Sequence, residues 1–389
     1  MRVTYTAPNR AHHFPYALAL HQAGVLHAFV SGVSRFSPRG RLDSIGDKFI
    51  RADELQNLFL FAQRLHLPNF ISDELAYQAK VHLDHRSKAL ARESDIFLFY
   101  SGAGLATMRS VGKGSVTRVV EAVNSHVRYQ ENLLRQEHAI AGIPFRGFHR
   151  REVARRIAEY EEADRILCPS DFVAESFVSE GIRRECIDIV PYGFSLEPHK
   201  ADDSVRGEQF RVLYVGQISV RKGLRYLVDA FDKLRHPHKQ LLIVGPMARP
   251  SGLEGISLPS NVRFAGVLKG EALRAAYRSA DAFVLPTIEE GLALVMGEAL
   301  SNGLPVIATQ NSGATNLFTH GREGFIVPIR NSEAITIALQ ELADDASLRM
   351  RMSAAALDRA EKLGGWRDSG KLLVDTLRRS SSPRQENIL

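Results

Sequence analysis

The sequence predicts an α/β protein made of two doubly wound domains that face a cleft. Short apolar runs alternate with longer amphipathic stretches along the whole chain, which is typical of parallel sheets covered by helices. With 389 residues, the chain is long enough for about two domains. A polar segment at 197–207 interrupts the alternation, so we predict a first domain at 1–195 and a second at 208–365.

In the first domain, the predicted strands are short runs rich in β-branched and aromatic residues, at 2–5, 26–30, 95–100, 117–122, 165–168 and 187–190. The predicted helices are stretches between those strands, at 15–23, 72–94, 128–142, 150–163 and 171–181. Doubly wound domains bind ligands at the carboxyl ends of their strands, so we expect the chemistry on the loops that follow them.

The alternation restarts after the polar segment. The predicted strands of the second domain are at 210–215, 240–244, 262–265, 282–285, 306–308 and 324–327. Its predicted helices are at 223–235, 271–280 and 292–301, with further helices over 332–362. An amphipathic segment at about 366–382 predicts a last helix.

Composition narrows the class of protein. The formal charge is +6, from 50 Lys and Arg against 44 Asp and Glu, and is too diffuse to predict a nucleic-acid partner. Two cysteines, Cys168 and Cys186, match no disulfide framework or zinc pattern and favour a reducing compartment. Because no apolar run approaches the roughly 18–20 residues of a membrane span, we expect a cytoplasmic protein without a transmembrane segment.

The first candidate site follows the predicted strand at 210–215. That strand ends at Gly216, and Arg221 and Lys222 then open a helix whose free amide groups would bind a diphosphate. Two cations at the positive end of a helix dipole are unfavourable unless an anion lies beside them. The alternative is a solvated turn with two surface cations, and these residues alone leave both interpretations open.

The second candidate site follows the predicted strand at 282–285. Glu289 and Glu290 precede the predicted helix at 292–301, and Glu298 lies about two turns into it. A carboxylate on an otherwise apolar helix is costly unless it accepts specific hydrogen bonds, which ribose hydroxyls would supply. Alternatively, the first two glutamates interact with the helix dipole and the third with an arginine.

Together these segments resemble the family-4 retaining glycosyltransferases, whose GT-B fold has two Rossmann-like domains facing a cleft. The resemblance covers most of the second half of the chain. It rests on the loop at 216–223, on Glu290 and Glu298 with seven residues between them, on Gly303-Leu-Pro-Val-Ile and on Glu323-Gly-Phe. In this family the last helix packs back on the first domain.

The resemblance implies that the second domain binds a nucleotide-diphospho-sugar donor. Lys222 would hold the diphosphate with help from Arg221, since Gln217 stands where the family usually has an arginine. Glu298 would bind the ribose hydroxyls, and Glu290 would be a catalytic residue facing the donor sugar. The other donor-binding residues that the resemblance implies are Gly216, Gly245, Gly266, Val267, Leu268, Gly291 and Leu292.

On the acceptor side the resemblance involves fewer residues. His126 matches the family's active-site histidine and would be catalytic; the alternative is a cap for the helix that follows it. The family's paired glycines are missing after the first strand, where His12 and His13 would contact the acceptor or be ordinary loop residues. The acceptor is left open, as a carbohydrate or a lipid-linked molecule of surface polysaccharide or glycolipid biosynthesis.

We expect no metal and no cofactor, because Arg221 and Lys222 would neutralise the leaving diphosphate and the chain has no Asp-x-Asp motif. The expected reaction is front-face transfer with retention, in which the leaving phosphate oxygen takes the acceptor's proton. A nucleotide-sugar epimerase and a non-catalytic nucleotide-sugar binding protein are the alternatives, and a uridine or a guanosine donor fits equally. The basic residues Arg35, Arg39 and Arg41 leave open a peripheral contact with the inner face of an anionic membrane.

Overall fold

The computed structural model describes residues 1–37, 40–196 and 208–381, which form two parallel sheets covered by helices. The first sheet has seven strands and the second has six. The predicted pair of doubly wound α/β domains is therefore confirmed. The polar segment at 197–207 lies outside the described residues, and the domain boundaries placed beside it stay predictions.

The strands alternate with helices in chain order. The first sheet contains β1 (Val3–Ala7), β2 (Leu26–Ser31), β3 (Phe49–Arg51), β4 (Ile96–Tyr100), β5 (Thr117–Glu121), β6 (Arg165–Cys168) and β7 (Ile187–Ile189). The second contains β8 (Phe210–Val215), β9 (Lys239–Val244), β10 (Val262–Gly266), β11 (Ala282–Leu285), β12 (Val306–Thr309) and β13 (Gly324–Val327).

The helices cover both faces of each sheet. In the first half they are α1 (His13–Gln22), α2 (Glu54–Arg64), α3 (Asn69–Arg92), α4 (Leu105–Ser110), α5 (Val127–Ile140), α6 (Arg150–Glu162) and α7 (Asp171–Ser179). In the second half they are α8 (Leu224–Lys233), α9 (Glu271–Arg278), α10 (Leu294–Ser301), α11 (Ala314–Leu317), α12 (Ser332–Asp344), α13 (Ala346–Leu363) and α14 (Gly365–Ser381). Among these helices, none is long and apolar enough to cross a membrane.

The strand order places a crevice in each domain. The orders are β3-β2-β1-β4-β5-β6-β7 and β10-β9-β8-β11-β12-β13, with parallel pairing throughout. Every residue of β1, β11 and β12 is buried, which explains why these strands are read as continuous apolar runs. The order reverses between β1 and β4 and between β8 and β11, and ligands bind outside the carboxyl ends of strands at such points.

Several elements were not predicted from the sequence. The strand β3 has only three residues, all half-buried, at the sheet edge, so its sequence is too short to show an alternation of apolar and polar residues. The helix α2 was missed as well, and much of its apolar surface is exposed. The helix α10 begins at Leu294, two residues later than predicted, so Glu298 lies about one turn into it.

The last helix, α14, packs against the first domain. Its residue Ser369 donates a hydrogen bond to the carbonyl oxygen of Pro191 at 2.6 Å. The ring of Trp366 lies edge-on to that of Tyr16 in α1, with centroids 6.2 Å apart. A Cβ at Gly193 would overlap the backbone of Trp366, so only glycine allows this approach.

Hydrogen bonds also join the two domains across the cleft. The buried carboxylate of Glu137, in α5, accepts from the Tyr226 hydroxyl at 2.9 Å and from Arg330 Nε at 2.7 Å. The Ser170 hydroxyl donates to the carbonyl oxygen of Gly291 at 2.5 Å. These bonds hold the carboxyl ends of the two sheets close to one another.

Candidate active site in the interdomain cleft

Three glycines meet at the carboxyl ends of β8, β9 and β10. Gly216 donates its N–H to Val244, and Gly245 donates its N–H to the carbonyl oxygen of Gly266 at 2.8 Å. A Cβ at Gly245 would overlap the carbonyl oxygen of Gly216, and the φ of Gly245 is +143°. The backbone of these loops is therefore packed too closely for side chains, which leaves peptide groups facing the crevice.

The predicted base-binding segment continues from this point. Val267 is 58% exposed, while the partly buried Leu268 packs against the core. Gln217 is exposed, and its carbonyl oxygen accepts from the Tyr214 hydroxyl at 2.8 Å. The structure thus fixes the backbone of Gln217 and leaves its side chain without a defined role.

Arg221 and Lys222 lie in a short 3₁₀ turn between β8 and α8. Gly223 follows with a left-handed φ of +61°, and a Cβ there would overlap the carbonyl oxygen of Pro286. The turn is therefore pressed against the end of β11. As a result, both cations face the glutamates that follow β11.

Lys222 and Glu290 form a buried ion pair in the cleft. The Lys222 Nζ contacts Glu290 Oε2, and the lysine side chain is 10% exposed. Burial, together with the charge of neighbouring Arg221, lowers the pKa of Lys222 to about 7, although Glu289 acts in the opposite direction. The alternative of a solvated turn therefore does not describe Lys222.

Glu289 joins the two domains. Its carboxylate is fully buried and accepts from the Ser125 amide at 3.0 Å, the Ser125 hydroxyl at 2.8 Å and Gln130 Nε2 at 2.8 Å. Arg221 donates to the Glu289 carbonyl oxygen at 3.1 Å and lies 3.3 Å from its carboxylate. Sequence analysis considered only a dipole interaction for Glu289, because nothing in the local pattern indicates a partner on another domain.

Glu298 accepts a hydrogen bond from the Tyr277 hydroxyl at 2.9 Å and is half-buried. A tyrosine hydroxyl therefore contacts one oxygen of this carboxylate, and the assignment of Glu298 to the ribose stays a prediction. Gly291 and Leu292 precede α10 and its N-cap, Ala293. A Cβ at Gly291 would overlap the carbonyl oxygen of Val123, so the two domains touch at this glycine.

His126 lies inside the first domain. It is 3% exposed, and its ring packs against those of Tyr160 and Phe177, with centroids 5.0 and 5.1 Å away. Its Nδ1 accepts from the Arg128 amide at 3.3 Å, which caps α5. Burial lowers the pKa of His126 to about 4, so the ring is neutral at pH 7. The catalytic role stays a prediction, and the geometry favours the capping alternative.

A cavity of about 310 Å³ lies between the domains. The second domain contributes Gly216, Lys222, Glu290 and Leu292, all of them predicted site residues. The first domain contributes His12, Val123, Asn124 and Tyr192. The structure therefore brings Lys222 of the predicted phosphate-binding loop and Glu290 together, and His12 lies on the opposite side of the cavity.

The first domain's side of this cavity rests on Glu121, which sequence analysis missed. Glu121 Oε1 lies 3.0 Å from His12 Nε2, and Oε2 lies 2.7 Å from the Tyr5 hydroxyl and 3.1 Å from His13 Nδ1. Burial raises the pKa of Glu121, but the two imidazoles outweigh burial and hold it well below its usual value. Burial lowers the pKa of His13 to about 4. The sequence did contain a signal for Glu121, because a charged residue at the end of an otherwise buried strand needs polar partners.

Ligand atoms of His12, His13 and Glu121 lie within 4.8 Å of one another, close enough for one metal ion. All three are nevertheless engaged in the hydrogen bonds described above. The expectation of a metal-free site stays a prediction.

Solved structures of other proteins share the architecture of the molecule. The chain superposes on sucrose-phosphate synthase from Thermosynechococcus elongatus with a TM-score of 0.68 and 18% identity, covering 97% of this chain and 99% of that one. It superposes on HepE from Anabaena, solved in complex with UDP, with a TM-score of 0.66 and 16% identity, covering 97% and 100%. The fold is that of the GT-B glycosyltransferases, as the sequence resemblance implied.

Residues 209–345 match the family described as Glycosyl transferases group 1. A sulfoquinovosyl transferase of Arabidopsis thaliana is 34% identical over 159 residues, which are 40% of this chain and 31% of the relative. A D-inositol 3-phosphate glycosyltransferase of Paenarthrobacter aurescens is 28% identical over 242 residues, 57% of this chain and 58% of the relative. The chain thus spans less than two thirds of these relatives.

Proposed function

We propose that this protein is a glycosyltransferase that moves a sugar from a nucleotide-diphospho-sugar to a hydroxyl group of an acceptor. The observation that carries the proposal is the cavity in which Lys222 and Glu290 of one domain face His12 of the other. Donor and acceptor would meet there, between the carboxyl ends of the two sheets. The matched group 1 domain supports the same assignment.

The donor would occupy the second domain. Lys222 and Arg221 supply positive charge beside the peptide groups of Gly216 and Gly245, where a diphosphate would lie. Glu298, held by Tyr277, would accept hydrogen bonds from the ribose, and the backbone of 266–268 would line the base. When the diphosphate binds Lys222, Glu290 is released to the donor sugar.

The proposed reaction is transfer with retention. The bond between the anomeric carbon and the phosphate oxygen breaks, and its electron pair stays on the diphosphate. Lys222 and Arg221 stabilise that charge in a buried site, where electrostatic interactions are strong. The acceptor oxygen forms the new bond on the same face of the sugar, and the leaving phosphate oxygen takes the proton of the acceptor hydroxyl. Glu290 stabilises the positive charge that develops on the sugar ring.

The acceptor would reach the cavity from the first domain. Large apolar side chains on and after α2 are exposed, and Leu60 also lines a second cavity, of about 320 Å³, beside residues 8–11. This combination supports a lipid-linked acceptor presented at a membrane surface, and hence a role in glycolipid or polysaccharide biosynthesis. A cytoplasmic location against the inner face of the membrane would follow.

Calorimetry with nucleoside diphosphates tests the donor site. We expect Lys222→Ala to weaken binding of UDP or GDP by about 10-fold or more, because a charge-assisted bond to phosphate is lost. The matched control is Lys233→Ala on the exposed end of α8, which should leave the affinity unchanged. Equal affinities for the wild-type protein and Lys222→Ala would refute the diphosphate assignment.

The anomeric configuration of the product tests retention, and NMR spectroscopy of the product reads it directly. Incubation of the donor without acceptor separates the alternatives. Conversion of the donor into an isomer would identify an epimerase, and binding without any turnover would identify a nucleotide-sugar binding protein.

A further inference from the structure

The two cations of the turn before α8 converge on one oxygen atom. Glu290 Oε2 contacts Lys222 Nζ and lies 3.4 Å from Arg221 Nη1. A diphosphate that displaces this carboxylate would therefore meet both cations, whereas Gln217 at the start of the same loop carries no charge. Arg221 is thus the second cation of the proposed phosphate site, and the contacts that hold its guanidinium bear on donor binding.

Glu289 holds the guanidinium of Arg221. The Nη1 group donates to the Glu289 carbonyl oxygen at 3.1 Å, and it lies 3.3 Å from Glu289 Oε2. The Glu289 side chain is fully buried, and among the described residues Arg221 is the only cation that forms an ion pair with it. Separating the two side chains would leave a buried charge uncompensated, so the carboxylate keeps the guanidinium at a fixed place.

The first domain fixes the orientation of that carboxylate. Glu289 Oε1 accepts from the Ser125 amide at 3.0 Å and the Ser125 hydroxyl at 2.8 Å, and Oε2 accepts from Gln130 Nε2 at 2.8 Å. Ser125 lies just before α5 and Gln130 lies near its start, and both are buried. All three donors therefore belong to one helix terminus of the other domain, and together they allow the carboxylate a single orientation.

Arg221 can bind Glu289 and a phosphate at the same time. A guanidinium carries five N–H groups in one rigid plane. Within residues 1–37, 40–196 and 208–381, Nη1 is the only nitrogen of this guanidinium that makes a hydrogen bond, so the N–H groups of Nε and Nη2 remain for a ligand. The side chain is 28% exposed, and it lines a cavity that shares Asn124 with the cavity around Lys222. Because the group is planar, fixing Nη1 also fixes the direction in which the other N–H groups donate.

We propose that Glu289 is a positioning residue for the donor, through which Ser125 and Gln130 of the first domain set the affinity of the second domain for a diphosphate. The inference rests on the proposed function. Ser125 and Gln130 orient the carboxylate, and the carboxylate holds Arg221 Nη1. The remaining N–H groups of Arg221 donate to phosphate oxygens. The group recognised in this way is the diphosphate, and the nucleoside part of the donor makes no use of these contacts.

The same contacts also hold the domains together, and the two roles have different signatures. If Glu289 only joined the domains, loss of any comparable bond between them would affect donor binding alike. The helix α5 supplies a matched control, because Gln136 Oε1 accepts from Arg330 Nη1 of the second domain at 3.2 Å in a bond that does not involve Glu289. A buried control is the Tyr226 hydroxyl, which donates to Glu137 at 2.9 Å.

Calorimetry tests the proposal, with the nucleoside diphosphate that the wild-type protein binds, UDP or GDP, and with the corresponding nucleoside. We expect Gln130→Ala and Glu289→Gln to weaken diphosphate binding by about 5-fold or more, while the affinity for the nucleoside stays at the wild-type value. Gln136→Ala and Tyr226→Phe should leave both affinities unchanged. In an Arg221→Ala background, Gln130→Ala should cause no further loss, because both residues act on the phosphate through one guanidinium.

The outcomes separate this inference from the proposed function. Wild-type protein that binds neither UDP nor GDP refutes the proposed donor site and the inference with it. Unchanged diphosphate affinity in Gln130→Ala and Glu289→Gln refutes the inference alone. So does an equal loss in Tyr226→Phe, an equal loss for diphosphate and nucleoside, or an additive loss in the double variant. Circular dichroism checks that each variant folds, and Gln130→Ala carries the test if Glu289→Gln does not fold.

Discussion

At the scale of single residues, the candidate site is made of charges that neutralise one another. Lys222 contacts Glu290, and Arg221 lies 3.3 Å from the Glu289 carboxylate and 3.4 Å from Glu290. A diphosphate must therefore compete with Glu290 for Lys222. This competition couples donor binding to the position of the proposed catalytic glutamate.

The lowered pKa of Lys222, about 7, predicts how donor binding depends on pH. Below that value the ammonium carries its charge and attracts the diphosphate, and above it the charge is lost. We therefore expect the affinity for UDP or GDP to fall several-fold between pH 6.5 and pH 8.5, measured by calorimetry. Lys222→Arg keeps its charge over this range, so its affinity should not fall. A parallel fall in both proteins would contradict this explanation.

At the scale of elements, α2 is unusual because part of its broad apolar face is exposed to solvent. Leu55, Phe59 and Ala62 face the protein, while Leu58, Phe61 and Leu65 at the C-cap lie beside them on the helix surface and are 52, 59 and 53% exposed. Soluble monomers seldom expose such a continuous apolar surface. Of the basic residues considered at first, Arg35 is bound to the buried Asp53, and Arg39 lies outside the described residues.

The exposed face of α2 predicts a peripheral membrane contact. Replacing Leu58, Phe61 and Leu65 together with serine should abolish co-flotation with liposomes that contain anionic phospholipid, because the apolar area available for insertion is lost. UDP affinity of the variant should stay at the wild-type value, which shows that the donor domain is intact. Wild-type protein that does not float, and instead dimerises through this face in light scattering, would contradict the prediction.

At the scale of the whole molecule, contacts between the domains close the cleft. Glu289 accepts from Ser125 and Gln130, and Arg330 and Tyr226 donate to Glu137. All of these carboxylates are buried, so opening the cleft would break the bonds of buried charges. The closed arrangement places His12 opposite Lys222.

Gly291 gives a direct test of closure. A Cβ at this position would overlap the Val123 carbonyl oxygen on the other domain, so Gly291→Ala should hold the domains apart. We expect a larger radius of gyration in small-angle X-ray scattering and a loss of transfer activity of about 10-fold or more. Gly112→Ala is the matched control, since its Cβ would meet only the flexible Ser115 side chain. Unchanged scattering and activity in Gly291→Ala would show that closure tolerates the added atom.

Much of the fold could be predicted because its signals are local. The strands β6, β8, β11 and β13 have the predicted bounds, since each is a short apolar run between turn residues. The three-residue β3 was missed because it is too short to show a period, whereas α2 was missed although its apolar residues recur at helical spacing. In the site, the loop with Lys222 and the glutamates at 290 and 298 were predicted from their positions after strands.

The sequence by itself determined the fold class and most of the strands and helices in their order, and it predicted Lys222, Glu290 and Glu298 as site residues. Only the tertiary structure decided which charges meet. Lys222 and Glu290 are 68 residues apart, and Tyr5 and Glu121 are 116 apart. Such pairs depend on which strands lie next to one another in the folded sheets, and the local hydrophobic pattern of the sequence does not encode that order. For the same reason, only the folded chain places His12 and Glu121 beside the cavity, while it buries His126 as a helix cap.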